Sequence, residues 1–135
     1  MTAEHRVVVV AKGETHKLRG LFLARRIDGH FRVRALGPGD MTLFDVAGDA
    51  SGCRVIEAAR EPTPELVRAL CENLRSAYHL PGAKSGEPRY DDWRTVQGHP
   101  VAWKTFLESR DWQVEIDVRQ VELDVSVDDA ALPAP

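Results

Sequence analysis

The first 58 residues are interrupted at short intervals by chain-reversing sequences, and this constrains the fold more than any other feature. Lys12-Gly13-Glu14-Thr15, Asp28-Gly29, Gly37-Pro38-Gly39-Asp40 and Gly48-Asp49-Ala50-Ser51-Gly52 separate five short segments. Connections of this length join antiparallel neighbours, because a parallel crossover needs a dozen or more residues. The segments Arg6–Lys12, Lys17–Arg26, His30–Leu36, Met41–Ala47 and Cys53–Ala58 therefore read as the strands of an antiparallel meander. Four consecutive valines in the first favour a strand and imply burial on both faces. Leu18, Gly20, Phe22 and Ala24 share one face of the second, where Gly20 suits a bend or bulge.

The hydrophobic period then changes. Thr63-Pro64 is a helix start, with Thr63 as the cap and Pro64 at the first position. Leu66, Val67, Leu70, Cys71, Leu74, Ala77 and Tyr78 form an apolar stripe at helical spacing, and Arg68, Glu72 and Arg75 fall on the opposite side. Pro81-Gly82 ends this helix, and residues 82–92 read as a polar, mobile loop. Strands return around Trp93–Val96, Val101–Leu107 and Trp112–Val125. In the last of these, Trp112, Val114, Ile116 and Val118 share a face, whereas Val121, Leu123 and Val125 are out of phase with them. One extra residue near Arg119-Gln120 restores the register, so a bulge or bend is predicted there. At 135 residues the chain fits one domain, taken as residues 1–126, with a flexible tail over 127–135. The predicted class is α+β: a curved antiparallel β-sheet covered by one main amphipathic helix.

Charge and motif searches narrow the function. Residues 1–36 carry eight Lys or Arg against three Asp or Glu, while the remainder carries ten against eighteen. Arg32 and Arg34 alternate with Phe31 and Val33, the pattern of a solvated sheet face and not of a nucleic-acid reader. The longest apolar run, Val7–Ala11, is far too short for a membrane-spanning helix. Walker A, GxGxxG, HExxH and GxSxG patterns are absent, so the chain reads as a non-enzyme. His5, His16 and His30 fall at strand ends or turns and read as solvated; Asp91-Asp92 reads as a solvated loop pair. Cys53 and Cys71 lack metal-ligand spacing, so no metal or other cofactor is expected, and they read as two free thiols. A bridge between them enters only if the protein works outside the cytoplasm.

The remaining signal is apolar surface. Val8, Val10, Phe22, Phe31, Val33, Leu43, Phe44, Trp103, Phe106, Trp112 and Ile116 are many large side chains for one sheet with one covering helix. Helix and sheet either close into a filled core, or a strongly curved sheet leaves room beneath the helix for an apolar ligand.

The stretch Gly29-His30-Phe31-Arg32-Val33-Arg34-Ala35-Leu36, the Gly-Pro-Gly turn, Met41-Thr42-Leu43-Phe44-Asp45-Val46 and the later helix together resemble LolB-like outer-membrane lipoproteins. Val7–Ala11 and Leu18–Ala24 fit that family's opening hairpin, and Trp112-Gln113-Val114-Glu115-Ile116 looks like its late strands. The resemblance implies an incomplete antiparallel β-barrel with a helical lid. It also implies a hydrophobic cavity for acyl chains or lipoproteins, used in lipoprotein delivery to the outer membrane. On this reading Val8, Val10, Phe22, Phe31, Val33, Leu43, Leu70, Leu74, Trp112 and Ile116 line the cavity. Pro38, Gly39 and Met41 form a turn that touches the membrane surface. The family places a leucine between proline and glycine in this turn; here Gly39 follows Pro38 directly and Met41 is the nearest apolar replacement. The family's N-terminal helix and lipidated cysteine have no counterpart before the first strand. The protein is accordingly expected in the periplasm or anchored at the outer membrane if a leader was removed, and in the cytoplasm if Met1 is the native start. The alternative is a non-enzymatic protein-interaction module with a filled core. The oligomeric state is open in either case.

Overall fold

A computed structural model describes residues 1–59, 64–81, 89–127 and 131–132. Eight strands, β1 Thr2–Ala11, β2 Glu14–Arg25, β3 His30–Leu36, β4 Thr42–Gly48, β5 Cys53–Ala58, β6 Arg89–Val96, β7 His99–Glu108 and β8 Trp112–Glu122, form one antiparallel sheet. Helix α1, Pro64–Ala77, lies between β5 and β6 in sequence. The spatial order is β5-β4-β3-β2-β1-β8-β7-β6, so two meanders join where β8 pairs with β1. The sheet does not close: β5 and β6 remain edges. This is the open, helix-covered architecture predicted for the class.

Local chemistry explains the turns. Lys12-Gly13 and Gln97-Gly98 both take positive φ, the conformation of two-residue hairpins whose twist matches their strands. The first turn is therefore tighter than predicted, with Glu14 and Thr15 already in β2. Gln97-Gly98 extends the C-terminal hairpin backwards, so residues 89–92 belong to β6 and not to a loop. Residues 82–88 of the predicted loop and the proposed cap Thr63 lie outside the described residues. Of the predicted tail, Leu132 is buried.

Extra residues re-aim the strands in three places. Glu4 pairs with Gln120 but His5 pairs with Val118, leaving Arg119 as the predicted bulge in β8. Val114, Ile116 and Val118 before it, and Leu123 after it, are consequently all buried. Similar shifts leave Leu43 unpaired in β4 and Ile56 unpaired in β5. Gly20 is no bulge: it stands in unbroken register between His5 and Ala35.

The main core is built from Phe22, Phe31, Val46 and Val101 of the sheet, Leu123 just past β8, and Val67, Cys71, Leu74, Ala77 and Tyr78 of α1 and its end. Phe22 stacks on Tyr78 with centroids 5.4 Å apart and meets Phe31 at 5.8 Å. Arg75, predicted on the solvated side of α1, is buried instead. Its guanidinium lies over the Phe31 ring and donates to the carbonyls of Asp49 (2.9 Å) and Gly52 (2.8 Å), fastening the β4–β5 turn to the helix. A second cluster of Leu107, Val114 and Ile116 takes Val7, Val9, Leu66, Leu70 and Trp112 around it. No helix of the described residues is long and apolar enough to cross a membrane.

Candidate functional site

The two clusters leave a cavity of about 470 Å³ between α1 and the concave side of the sheet, within the usual range for small-molecule sites. Leu66, Leu70 and Leu74 form its roof. They recur every four residues and so stand above one another along about 12 Å of helix. The walls and floor are His5, Val7 and Val9 of β1, Leu18 and Gly20 of β2, Val33 and Ala35 of β3, Leu43 and Phe44 of β4, and Val114 and Ile116 of β8. Two small residues, Gly20 and Ala35, are paired side by side in the ladder, so the floor lacks bulk where neighbouring rows carry large side chains. The bulge at Leu43 allows consecutive residues, Leu43 and Phe44, both to border the space. Met41 and His16 also border it, and both are exposed, which places them at the rim.

Among the residues predicted to line a cavity, Val33, Leu43, Leu70, Leu74 and Ile116 meet in this one. Phe22 and Phe31 do not: both are fully buried in the adjacent core. Trp112 packs on the flank of the second cluster. Val8 and Val10 lie on the other side of the sheet, because strand side chains alternate and Val7 and Val9 take the inner positions. The valine run is accordingly only partly buried, and Val10 is 38% exposed. The inner phase of β1 was available in Glu4 and Arg6, charged residues at even positions that mark the outer face. Pro38 and Gly39 form an exposed single 3-10 turn, closed by the Asp40 amide donating to the Gly37 carbonyl (3.2 Å) and braced by the Gly37 amide donating to the Met41 carbonyl (2.8 Å), and Met41 connects this turn to the cavity.

The polar lining is sparse. His5, predicted to be solvated, is 3% exposed, because β1 begins at Thr2 and encloses it. Its Nε2 is 2.5 Å from Tyr78 Oη, and burial pushes the imidazole pKa down to about 4, so the ring is neutral at pH 7. Burial likewise raises the Tyr78 phenol, which stays protonated. Behind the cavity, Cys53 and Cys71 are free thiols in hydrogen-bond contact. That bond and the nearby Arg75 lower the Cys53 thiol to about 7, while its partner's proton is held more tightly. On the convex side, Arg32 grips the buried Asp45 through two bonds, with Arg34 at 3.5 Å, and Arg19 pairs with Glu4 at 2.7 Å. Charge is thus gathered mainly on the outer face; Arg34, half-exposed beside Asp45, is the charged side chain that also borders the cavity. No group of three His, Cys, Asp or Glu residues among the described ones is arranged to hold a metal.

No protein-family model and no curated protein matches the chain. Among solved structures, a LolA superfamily protein from Nitrosomonas europaea superposes with a TM-score of 0.61 over 98% of this chain and 89% of that one. The two chains share a fold. Their sequence identity is 9%, so the likeness is one of architecture: a LolA-like incomplete barrel with a helix across its open side. In this chain the cavity described above lies between that helix and the sheet.

Proposed function

We propose that this protein binds acyl chains, carried by lipids or lipoproteins, in the cavity under α1, and that it serves outer-membrane lipoprotein localisation or a related envelope role of the LolB-like kind. The observation that carries the reading is the apolar space of about 470 Å³ roofed by Leu66, Leu70 and Leu74. Burying the chain of an acyl ligand there removes apolar surface from water at roughly 25 cal/mol per Å². The role is one of carriage, without a chemical step. Met41 joins the rim to an exposed turn, which suits transfer between the cavity and a membrane surface. The periplasmic side of the envelope is the compartment this role requires.

A fluorescent fatty acid tests the reading directly. The parent protein is expected to bind it with enhanced emission, and Leu70→Trp to abolish binding while retaining cooperative thermal unfolding. In a filled core the same substitution overpacks and costs about 1–3 kcal/mol. Lost stability in the variant, with no probe binding by the parent, would instead favour the filled-core interaction module.

A further inference from the structure

We propose that His5 is a specificity-determining hydrogen-bond donor at the buried end of the cavity, which selects apolar ligands carrying an uncharged carbonyl or hydroxyl oxygen over bare hydrocarbons. The proposal rests on the apolar-ligand reading above and adds what the site recognises besides chain.

The tautomer follows from counting donors and acceptors. Among the described residues, the His5 ring and Tyr78 Oη make one hydrogen bond, to each other. If Nε2 carried the proton and donated to the phenol, the buried phenol hydrogen would lack an acceptor and the Nδ1 lone pair would lack a donor. If the phenol donates to Nε2, the phenol hydrogen is satisfied and the imidazole proton resides on Nδ1, so one group instead of two lacks a partner. The second arrangement leaves one group unanswered, an Nδ1–H donor. Tyr78 is itself fixed by its stacking on Phe22, so the ring is held in place.

The geometry directs this donor toward the ligand space. His5 lines the cavity, and so does Gly20, its partner in the ladder. A methyl group built on Gly20 would lie 3.5 Å from Nδ1, so glycine at this position keeps the approach to the nitrogen open. Along β1 and β2, His5 stands opposite Gly20 whereas the exposed His16 stands opposite Val9, four residues further on. The donor is therefore at the core side of the cavity and away from the rim. An uncharged acceptor suits it best. The neutral ring supplies no positive charge for a carboxylate, whose burial without a partner is costly, and the guanidinium that borders the cavity, Arg34, is half-exposed and already faces Asp45 at 3.5 Å.

Displacement of N-phenylnaphthylamine from the full chain by decane, decanol, methyl decanoate and ionised decanoate at pH 7 tests the proposal. Decanol and methyl decanoate are expected to compete roughly three- to ten-fold better than decane, the range of one net hydrogen bond. Decanoate should compete less well than the ester. The double variant His5→Phe/Tyr78→Phe replaces both partners by apolar rings of similar shape, so the fold should survive, and the oxygen preference should vanish while decane binding persists. In the parent, the His5 ring nitrogen spectrum should report a protonated Nδ1 that shifts with the ester and stays put with decane. Equal competition by all four in the parent, a preference that survives in the double variant, or a proton on Nε2 would overturn the assignment and leave the cavity reading intact. Failure of the dye and every competitor to bind would overturn both.

Discussion

At the scale of the residue, burial of His5 links stability to pH. Its pKa falls from 6.5 to about 4 on folding, chiefly by desolvation, with Glu4 opposing weakly. Between those values the unfolded chain binds a proton that the folded chain refuses, so stability is complete above pH 6.5 and declines as pH drops toward 4. The full effect is about 3 kcal/mol. Chemical denaturation at pH 7 and pH 4.5 should reveal it as a loss in the parent that is about 2–3 kcal/mol larger than in His5→Phe/Tyr78→Phe. Equal losses would mean that His5 is solvated in solution. Carboxylates such as Asp28, held low by Arg25, titrate in both proteins and cancel in the comparison.

At the scale of the element, β4 ends against an aromatic ring. A Cβ at Gly48 would run into Phe31, while one at Gly52, at the far side of the same turn, would meet nothing within 4 Å. Gly48→Ala should therefore cost about 1–3 kcal/mol, and Gly52→Ala should leave the denaturation midpoint close to that of the parent. Comparable midpoints for the two variants would show that Phe31 yields freely. Elements of this kind were only partly legible in the sequence. Turn residues and alternation sufficed for β3 and β5, which match their expected bounds, and a phase flip sufficed for the bulge at Arg119. The bulges at Leu43 and Ile56 left no such trace, because each stands beside one apolar neighbour, Phe44 and Val55, in a strand too short to show a phase flip. Arg75 misled for a related reason: an arginine on a helix reads as solvated unless its acceptors, here backbone carbonyls of a distant turn, are known. The cavity was legible on its helix side, where a single stripe decides, and less so in β1, where four valines carry no phase of their own.

At the scale of the whole molecule, cavity and exposed turn meet at Met41, which is 55% exposed and also borders the ligand space. If the turn inserts into lipid, Met41→Asp should reduce co-sedimentation with phospholipid vesicles several-fold, with a melting temperature near that of the parent. A charged group taken into the interface carries a cost that the methionine side chain does not. Unchanged sedimentation would remove membrane contact from this turn.

The position of β1 has a consequence for how the molecule comes into being. It leads the described strands in the chain, yet its partner along one side, β8, comes last among them: Thr2 meets Glu122. Pairing across that separation gives the fold a high contact order and slows its completion. Until β8 arrives, the nascent chain holds out a strand of four valines whose outer edge is unpaired, a template for association with other chains. Any chain that stops short of Trp112 keeps that edge open permanently. Docking of β8 covers that edge and leaves β5 and β6 as the edges of the finished sheet.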